Sequence, residues 1–257
     1  MADTLPPGST LVGVLPPRPR LAIVGSRAAH RPYRDAVAEA VAALGELGWS
    51  LISGGALGID GDAHRAALAH GVPQLAVLPC GSDRVYPPAH ADLFARVAHA
   101  PESGLLFAHP PGTQSARGMF ASRNRHVVAL ADAVLVAEAA RRSGTATTGR
   151  MALRQRCRVA GLLGTPGVAM LVAEGATPIA LSDGGIAHKV GAWLRGDVAA
   201  ASVWPEPLQP LREVLEAGGP FGVPSAELTR RGLAAALLTA ELAGLVVEAS
   251  PGRWRVA

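Results

Sequence analysis

Residues 21–78 read LAIVGSRAAHRPYRDAVAEAVAALGELGWSLISGGALGIDGDAHRAALAHGVPQLAVL, and their alternation decides the fold. Three short apolar runs, LAIV from Leu21, SLIS from Ser50 and QLAVL from Gln74, are separated by longer amphipathic stretches, Tyr33 to Leu47 and Gly61 to His70. A short run that is apolar throughout suits a strand covered on both faces, and the stretches between them suit helices. The same rhythm continues through Pro88 to His99, GLLF at Gly104, a helix near Ser122 to Ala131, AVLVA at Ala133, a helix from Thr145 and RVAGLLG at Arg158. Thr177 to Leu181 reads as one more strand. Strands alternating with helices predict an α/β fold built on a doubly wound, mainly parallel sheet.

Outward from this block, residues 1–20 are Pro-rich and show no basic region followed by an apolar one, so they read as an extension without a signal peptide. The sheet domain is expected over residues 21–195. VWPEPLQP, from Val203 to Pro210, has no helical period, and residues 196–210 read as a linker. A second unit, residues 211–257, offers three short helices, Leu211 to Ala217, Ser225 to Arg231 and Leu233 to Ala243. LVVEA, a turn at Pro251-Gly252 and RWRV follow, which is the plan of a small winged-helix-like domain. Its third helix, LAAALLTAELA, carries no Arg, Lys, Asn or Gln, the side chains that read base edges, so the tail reads as a packing or protein-contact module.

With 49% hydrophobic and 17% charged residues over 257 positions, the chain is too apolar for a disordered protein. No uncharged apolar run reaches the roughly 18 residues of a membrane span, so a cytoplasmic protein without membrane insertion is expected. Cys80 and Cys157 make neither a disulfide framework nor a metal site and read as buried small hydrophobes. Eight histidines include no HExxH, and no metal or cofactor is expected. Of 24 basic residues only Lys189 is a lysine, so the net charge of +4 rests on guanidinium groups, which suit phosphate recognition. A composition bias of the whole Ala-rich, Arg-rich chain accounts for the same count.

In a doubly wound sheet the ligand binds outside the carboxyl ends of the strands, so the residues just after each apolar run matter most. Gly25-Ser26-Arg27 follows LAIV and combines close backbone approach, a hydroxyl and a guanidinium fork. Ser53-Gly54-Gly55-Ala56-Leu57-Gly58 is a Gly-rich turn into a helix whose N–H groups suit an anion, with Asp60 expected to cap that helix while the glycines line the site. Pro110 to Arg125 is long for an α/β connection and sets Arg117, Arg123, Asn124 and Arg125 around the Phe120 ring. Cations beside a stacking ring are what single-stranded nucleic acid requires. Phe120 as a core anchor, with Arg123 and Arg125 on a solvated helix start, is the competing reading. Ser143-Gly144-Thr145 opens another helix within a hydroxyl-rich loop, either as a phosphate seat or as an ordinary capped terminus. No catalytic set emerges, because the strand ends carry Gly, Ser, Thr and Arg, with Glu138, Asp60, Asp62 and His64 as exceptions. His64, with no evident orienting partner, reads as packing on its helix.

Taken together, IVGSR (Ile23 to Arg27), SGGALGIDGDAHRAAL (Ser53 to Leu68), PPG (Pro110 to Gly112), Phe120 followed by RNR, and VLVAEAARRSGTATT (Val134 to Thr148) resemble the DNA-processing protein A family, DprA/Smf, over about Leu21 to Gly167. LLTAELAGLVVEASPGRWRV, from Leu237, is similar to that family's winged-helix tail. The resemblance implies a Rossmann-like domain that binds single-stranded DNA, forms a homodimer and loads a RecA-type recombinase on DNA taken up in natural transformation. It implies a DNA pocket of Arg27, Arg117, Phe120 and the arginines of RNR, with phosphates on the backbone of Ser53 to Gly58. The chain departs from the pattern at Gly55, where the family usually has Leu, at Ala121, which replaces a Pro, and after Thr165-Pro166-Gly167, where a GTN is missing. Its first twenty residues are also too few for the family's separate N-terminal helical domain. A rival class is a nucleotide-binding enzyme or sensor resembling the LOG phosphoribohydrolases. That hydrolase needs PGG-x-GT with a carboxylate on the next helix, whereas EAARRSGTATTGRMALRQR has neither.

Overall fold

A computed structural model describes residues 5–113, 117–181, 185–197, 206–219, 222–242 and 245–256. Eight strands form one sheet: β1 (Thr10–Gly13), β2 (Arg20–Val24), β3 (Ser50–Ser53), β4 (Gln74–Leu78), β5 (Gly104–Phe107), β6 (Ala133–Val136), β7 (Arg158–Leu162) and β8 (Thr177–Ile179). Their order is β1-β5-β4-β3-β2-β6-β7-β8, parallel throughout except for β1. β1 lies inside the segment expected to be only an extension and pairs antiparallel with β5, Thr10 opposite Phe107 and Gly13 opposite Gly104. Thr10 to Gly13 contains no proline, so every N–H in it is free to join a ladder; the prolines flank the strand and do not interrupt it.

Seven helices belong to this sheet: α1 (Arg31–Leu47), α2 (Ile59–His70), α3 (Ala91–His99), α4 (Arg117–Ala129), α5 (Gly144–Arg154), α6 (Pro166–Ala173) and α7 (Ile186–Arg195). The strands read as continuously apolar because both faces are covered. Leu21 and Ile23 of β2 pack with Val37, Leu44, Ile59 and Val190 from α1, α2 and α7. Ala22 and Val24, pointing the other way, pack with Val127, Ala146, Val168 and Leu171 from α4, α5 and α6. Each large side chain so buried contributes on the order of 1.5 to 3 kcal/mol.

α4 begins at Arg117, five residues before the expected start at Ser122, so the third loop is shorter than its sequence suggests. Gln114 to Ala116 lie outside the described residues, as does the side chain of Arg117. Cys80 is buried as expected, whereas Cys157 is partly exposed at the entrance to β7. Among the described residues no helix is long and apolar enough to cross a membrane.

The order of strands creates one switch point. From β2 the chain steps through β3, β4 and β5 on one side, then returns to β6 on the other. The loops after β2 and β6 therefore leave in opposite directions and open a crevice between them.

The C-terminal residues form α8 (Gln209–Ala217), β9 (Val223–Pro224), α9 (Ser225–Arg230), α10 (Ala234–Leu242), β10 (Val246–Ser250) and β11 (Arg253–Val256), with the strands in the order β10-β11-β9. Leu208, Leu211, Leu215, Leu228, Ala240 and Val246 make a core of their own. α8 starts two residues earlier than expected, inside the stretch read as linker, because Pro210 sits in the first turn where its missing N–H costs nothing. Residues 198–205 of the expected linker lie outside the described residues.

Candidate nucleic-acid interface

At the switch point the four anion-seeking loops converge on one groove of about 460 Å³. Thr145 Oγ1 donates to the Gly25 carbonyl at 3.0 Å, tying the start of α5 to the turn after β2. The Ile59 N–H donates to the Ser26 carbonyl at 3.2 Å, tying that same turn to α2. Gly58 makes the second approach possible: its φ is +74°, and a Cβ there would stand 2.3 Å from the Ser26 carbonyl oxygen. Ser143 caps α5, its Oγ accepting from the Ala146 N–H at 3.0 Å. The N–H groups of Gly144 and Thr145, which a helix start leaves without intrahelical partners, stand at the groove.

Over the groove stands the ring of Phe120, half-buried on α4. The guanidinium of Arg27, exposed on the opposite wall, lies 4.7 Å from the centre of that ring. Phe120, Arg123 and Asn124 share one stripe of α4 at helical spacing, and all three line the groove. Asn124 Nδ2 donates to Thr148 Oγ1 at 2.7 Å and so links α4 to α5.

Arg123 is not a surface cation. It is only 4% exposed, its Nη1 donates to the Val77 carbonyl at 3.3 Å, and the same atom stands 3.8 Å from Asp60 Oδ2. Gly54 leaves the space it fills, since a Cβ on Gly54 would fall 1.3 Å from Nη1. Burial pushes the Asp60 carboxyl up, opposed by the Arg123 guanidinium, and the same burial lowers Arg123. An arginine keeps its charge in proteins, so the two form a buried ion pair under the groove.

Other expected positions are corrected in the same way. Asp60 is the second residue of α2 and not its cap; the capping position belongs to Gly58, and the Asp60 carboxylate turns back to accept from the Ala56 N–H at 3.3 Å. Ser53, Gly54 and Gly55 are buried, and of the three Gly54 alone borders the cleft beside Arg27 and Phe120. Ser53 Oγ is spent on the Ile23 carbonyl at 2.6 Å, and Gly55 lies against the ring of Phe94. Arg125, five positions after Phe120, is exposed but rotated off the stripe that faces the groove. Its neighbours include His126, whose pKa is lowered first by burial and then by the Arg125 charge. Of the remaining cations nearby, Arg34 and Arg65 both donate to Asp62, at 2.6 and 3.2 Å.

His64 has an orienting partner that its sequence context hides: its Nδ1 stands 2.7 Å from Gln74 Oε1, fully buried between α2 and β4. Desolvation lowers it from 6.5 to about 4. Glu138, also buried, accepts from the His30 N–H at 3.0 Å and stands 2.6 Å from His30 Nδ1 at the edge of the groove. Tyr86 was not singled out above, although it follows β4 at a carboxyl strand end, the same signal that marks the other loops. Its ring centre lies 5.4 Å from that of Phe120.

A doubly wound α/β protein with a groove of hydroxyls, helix-start N–H groups and a ring paired with an arginine is the class that fold and site define. The family described as DNA recombination-mediator protein A matches residues 13–185. A putative DNA processing protein DprA of Mycobacterium tuberculosis is 37% identical over 252 residues, covering 91% of this chain and 64% of that protein. The Smf protein of Escherichia coli is 39% identical over 153 residues, 58% of this chain and 40% of that protein. Among solved structures, DprA from Streptococcus pneumoniae matches with a TM-score of 0.61 at 31% identity, over 66% of this chain and 62% of that one. DNA processing protein A from Helicobacter pylori, described for its unique single-stranded DNA binding mode, shares the fold with a TM-score of 0.64 at 23% identity, over 76% of this chain and 95% of that one. The chain therefore belongs to the DNA recombination-mediator protein A family, DprA/Smf, and spans somewhat less than two thirds of the length of its M. tuberculosis relative.

Proposed function

We propose that the groove binds single-stranded DNA and that the protein serves, as a cytoplasmic homodimer, to protect incoming strands and load a RecA-type recombinase on them in natural transformation. The observation that carries the DNA reading is the Arg27 guanidinium over the Phe120 ring at the mouth of a groove lined by Ser26, Ser143, Gly144 and Thr145. A base stacks on the ring, and Arg27 swings from the ring to the phosphate beside it, exchanging a cation–π contact for a charge-assisted hydrogen bond. The helix start of α5 takes a second phosphate. Stacking on a ring and contact with phosphates are the same for every base, so sequence preference is weak. The dimer and the recombinase rest on family membership alone.

Anisotropy titration with single- and double-stranded oligonucleotides at several salt concentrations tests the reading. Tighter binding of the single strand, weakening linearly in log salt, is the expected result. Equal affinity for duplex overturns it. A nucleotide hydrolase has one observation on its side, the buried Glu138 carboxylate held by His30 at the groove. Release of free base from AMP would favour that enzyme.

A further inference from the structure

We infer that Tyr86 forms a second base-stacking position next to Phe120, and that the two rings hold neighbouring bases of one strand splayed apart. The inference rests on the single-stranded DNA reading of the groove and deepens it. Tyr86 lies in the loop after β4, half-buried, with Leu57, Pro79 and Pro87 beside it and Phe120 across from it. Leu57 at this rim is 45% accessible. With the two rings, Pro79 and Pro87 it continues the groove beyond Phe120 as an apolar shelf to which α5 contributes no residue. The cleft between them is about 40 Å³, room for a few waters and too small for a base, so a base lies across the shelf and does not enter it.

The angle between the rings supplies the selectivity. Their planes are inclined at 58° with centres 5.4 Å apart. Stacked bases in a strand are parallel and about 3.4 Å apart. Two bases that each lie flat on one of these rings must therefore unstack from each other, which a single strand does readily and a paired duplex step does only by breaking its stacking. Arg27, already at Phe120, is positioned for the phosphate that joins the two nucleotides. The opposing view is that Tyr86 only supports Phe120, since it also packs on the cluster around Leu78 and Phe94.

Two measurements separate these views. Titration of the 257-residue wild type, Tyr86→Phe, Tyr86→Leu and Phe120→Leu with a short oligothymidylate, at two salt concentrations, reads the ring. Tyr86→Phe is expected to bind as wild type, and Tyr86→Leu to lose about tenfold with an unchanged salt slope, the scale of one stacked base. Tyr86→Leu binding as wild type, or Tyr86→Phe losing as much as Tyr86→Leu, overturns the proposal. Photocrosslinking of the wild-type protein to the same oligonucleotide carrying 5-iodouracil, followed by peptide mapping, gives a readout that support alone does not move and needs no folded variant. Adducts at both Phe120 and Tyr86 are expected; adducts at Phe120 without Tyr86 overturn it. Failure of the wild type to bind any single strand is a different result and removes the DNA reading itself.

Discussion

Arg123 shows how far a residue's type can mislead about its role. An arginine beside an aromatic ring invites a phosphate, yet this one is locked under the groove by Asp60 and the Val77 carbonyl. Arg123→Leu leaves a buried carboxylate without its partner and is expected to cost about 3 to 5 kcal/mol of stability. The double variant Arg123→Leu with Asp60→Leu should be more stable than Arg123→Leu alone, because the orphaned charge is gone. Urea unfolding of the variants checks both statements, and a double variant no more stable than the single one would show that the pair is not coupled. His64 makes a pH-dependent contribution of the opposite kind. Between its unfolded value of 6.5 and its folded value of about 4 the unfolded chain binds a proton that the folded chain refuses. Stability from neutral His64 is therefore fully present above the first value and declines as pH falls toward the second. Thermal unfolding of wild type and His64→Gln across this window should show the wild type's advantage shrinking on acidification; a constant gap would rule this out.

Whether a charge meets DNA is settled at the level of the element that carries it. α4 presents Phe120, Arg123 and Asn124 on the stripe toward the groove and turns Arg125 away from it. Arg27, at the end of β2, stands at the groove mouth and is exposed. Arg27→Ala is expected to weaken single-strand binding for every sequence alike and to reduce the salt slope by about one. Arg125→Ala should change that slope by much less. Both are exposed, so their unfolding free energies should stay within about 0.5 kcal/mol of wild type. Equal slopes for the two variants would place the strand on another face of α4.

Across the whole molecule, the buried clusters divide cleanly. Those of the sheet domain end at Leu194, and the C-terminal cluster runs from Leu208 onward with no residue in common. A chain ending at Arg195 is therefore expected to fold and to keep single-strand affinity within about tenfold, or 1.4 kcal/mol. α10 supports this: its exposed residues include Ala234, Ala235, Leu238 and Thr239 but no Arg, Lys, Asn or Gln, the side chains that make bidentate contacts to bases. Titration of the folded, truncated chain beside the full one is the check, and a greater loss at equal oligomeric state would make the C-terminal unit part of the DNA site.

The strands of the sheet and most of its helices were legible in the sequence because both faces of each strand are covered, which writes short, wholly apolar runs between amphipathic ones. The loops that form the groove were legible too, since a doubly wound sheet places them all at one edge. The edge strand β1 was not, because four residues between prolines carry no period of their own and gain a partner only when β5 is in place. Nor could local pattern separate Arg27 from Arg123: both follow a signal for anion binding, and only the removal of a side chain at Gly54 and the position of Asp60 decide that one guanidinium is buried. Tyr86 and Phe120 are 34 positions apart in a sequence that says nothing of their distance. Residue periodicity determined which segments are strands and helices, because burial on a regular backbone repeats at fixed intervals. Tertiary packing decided which side chains meet, because a contact between loops depends on the crossing of elements far apart along the chain and leaves no local trace.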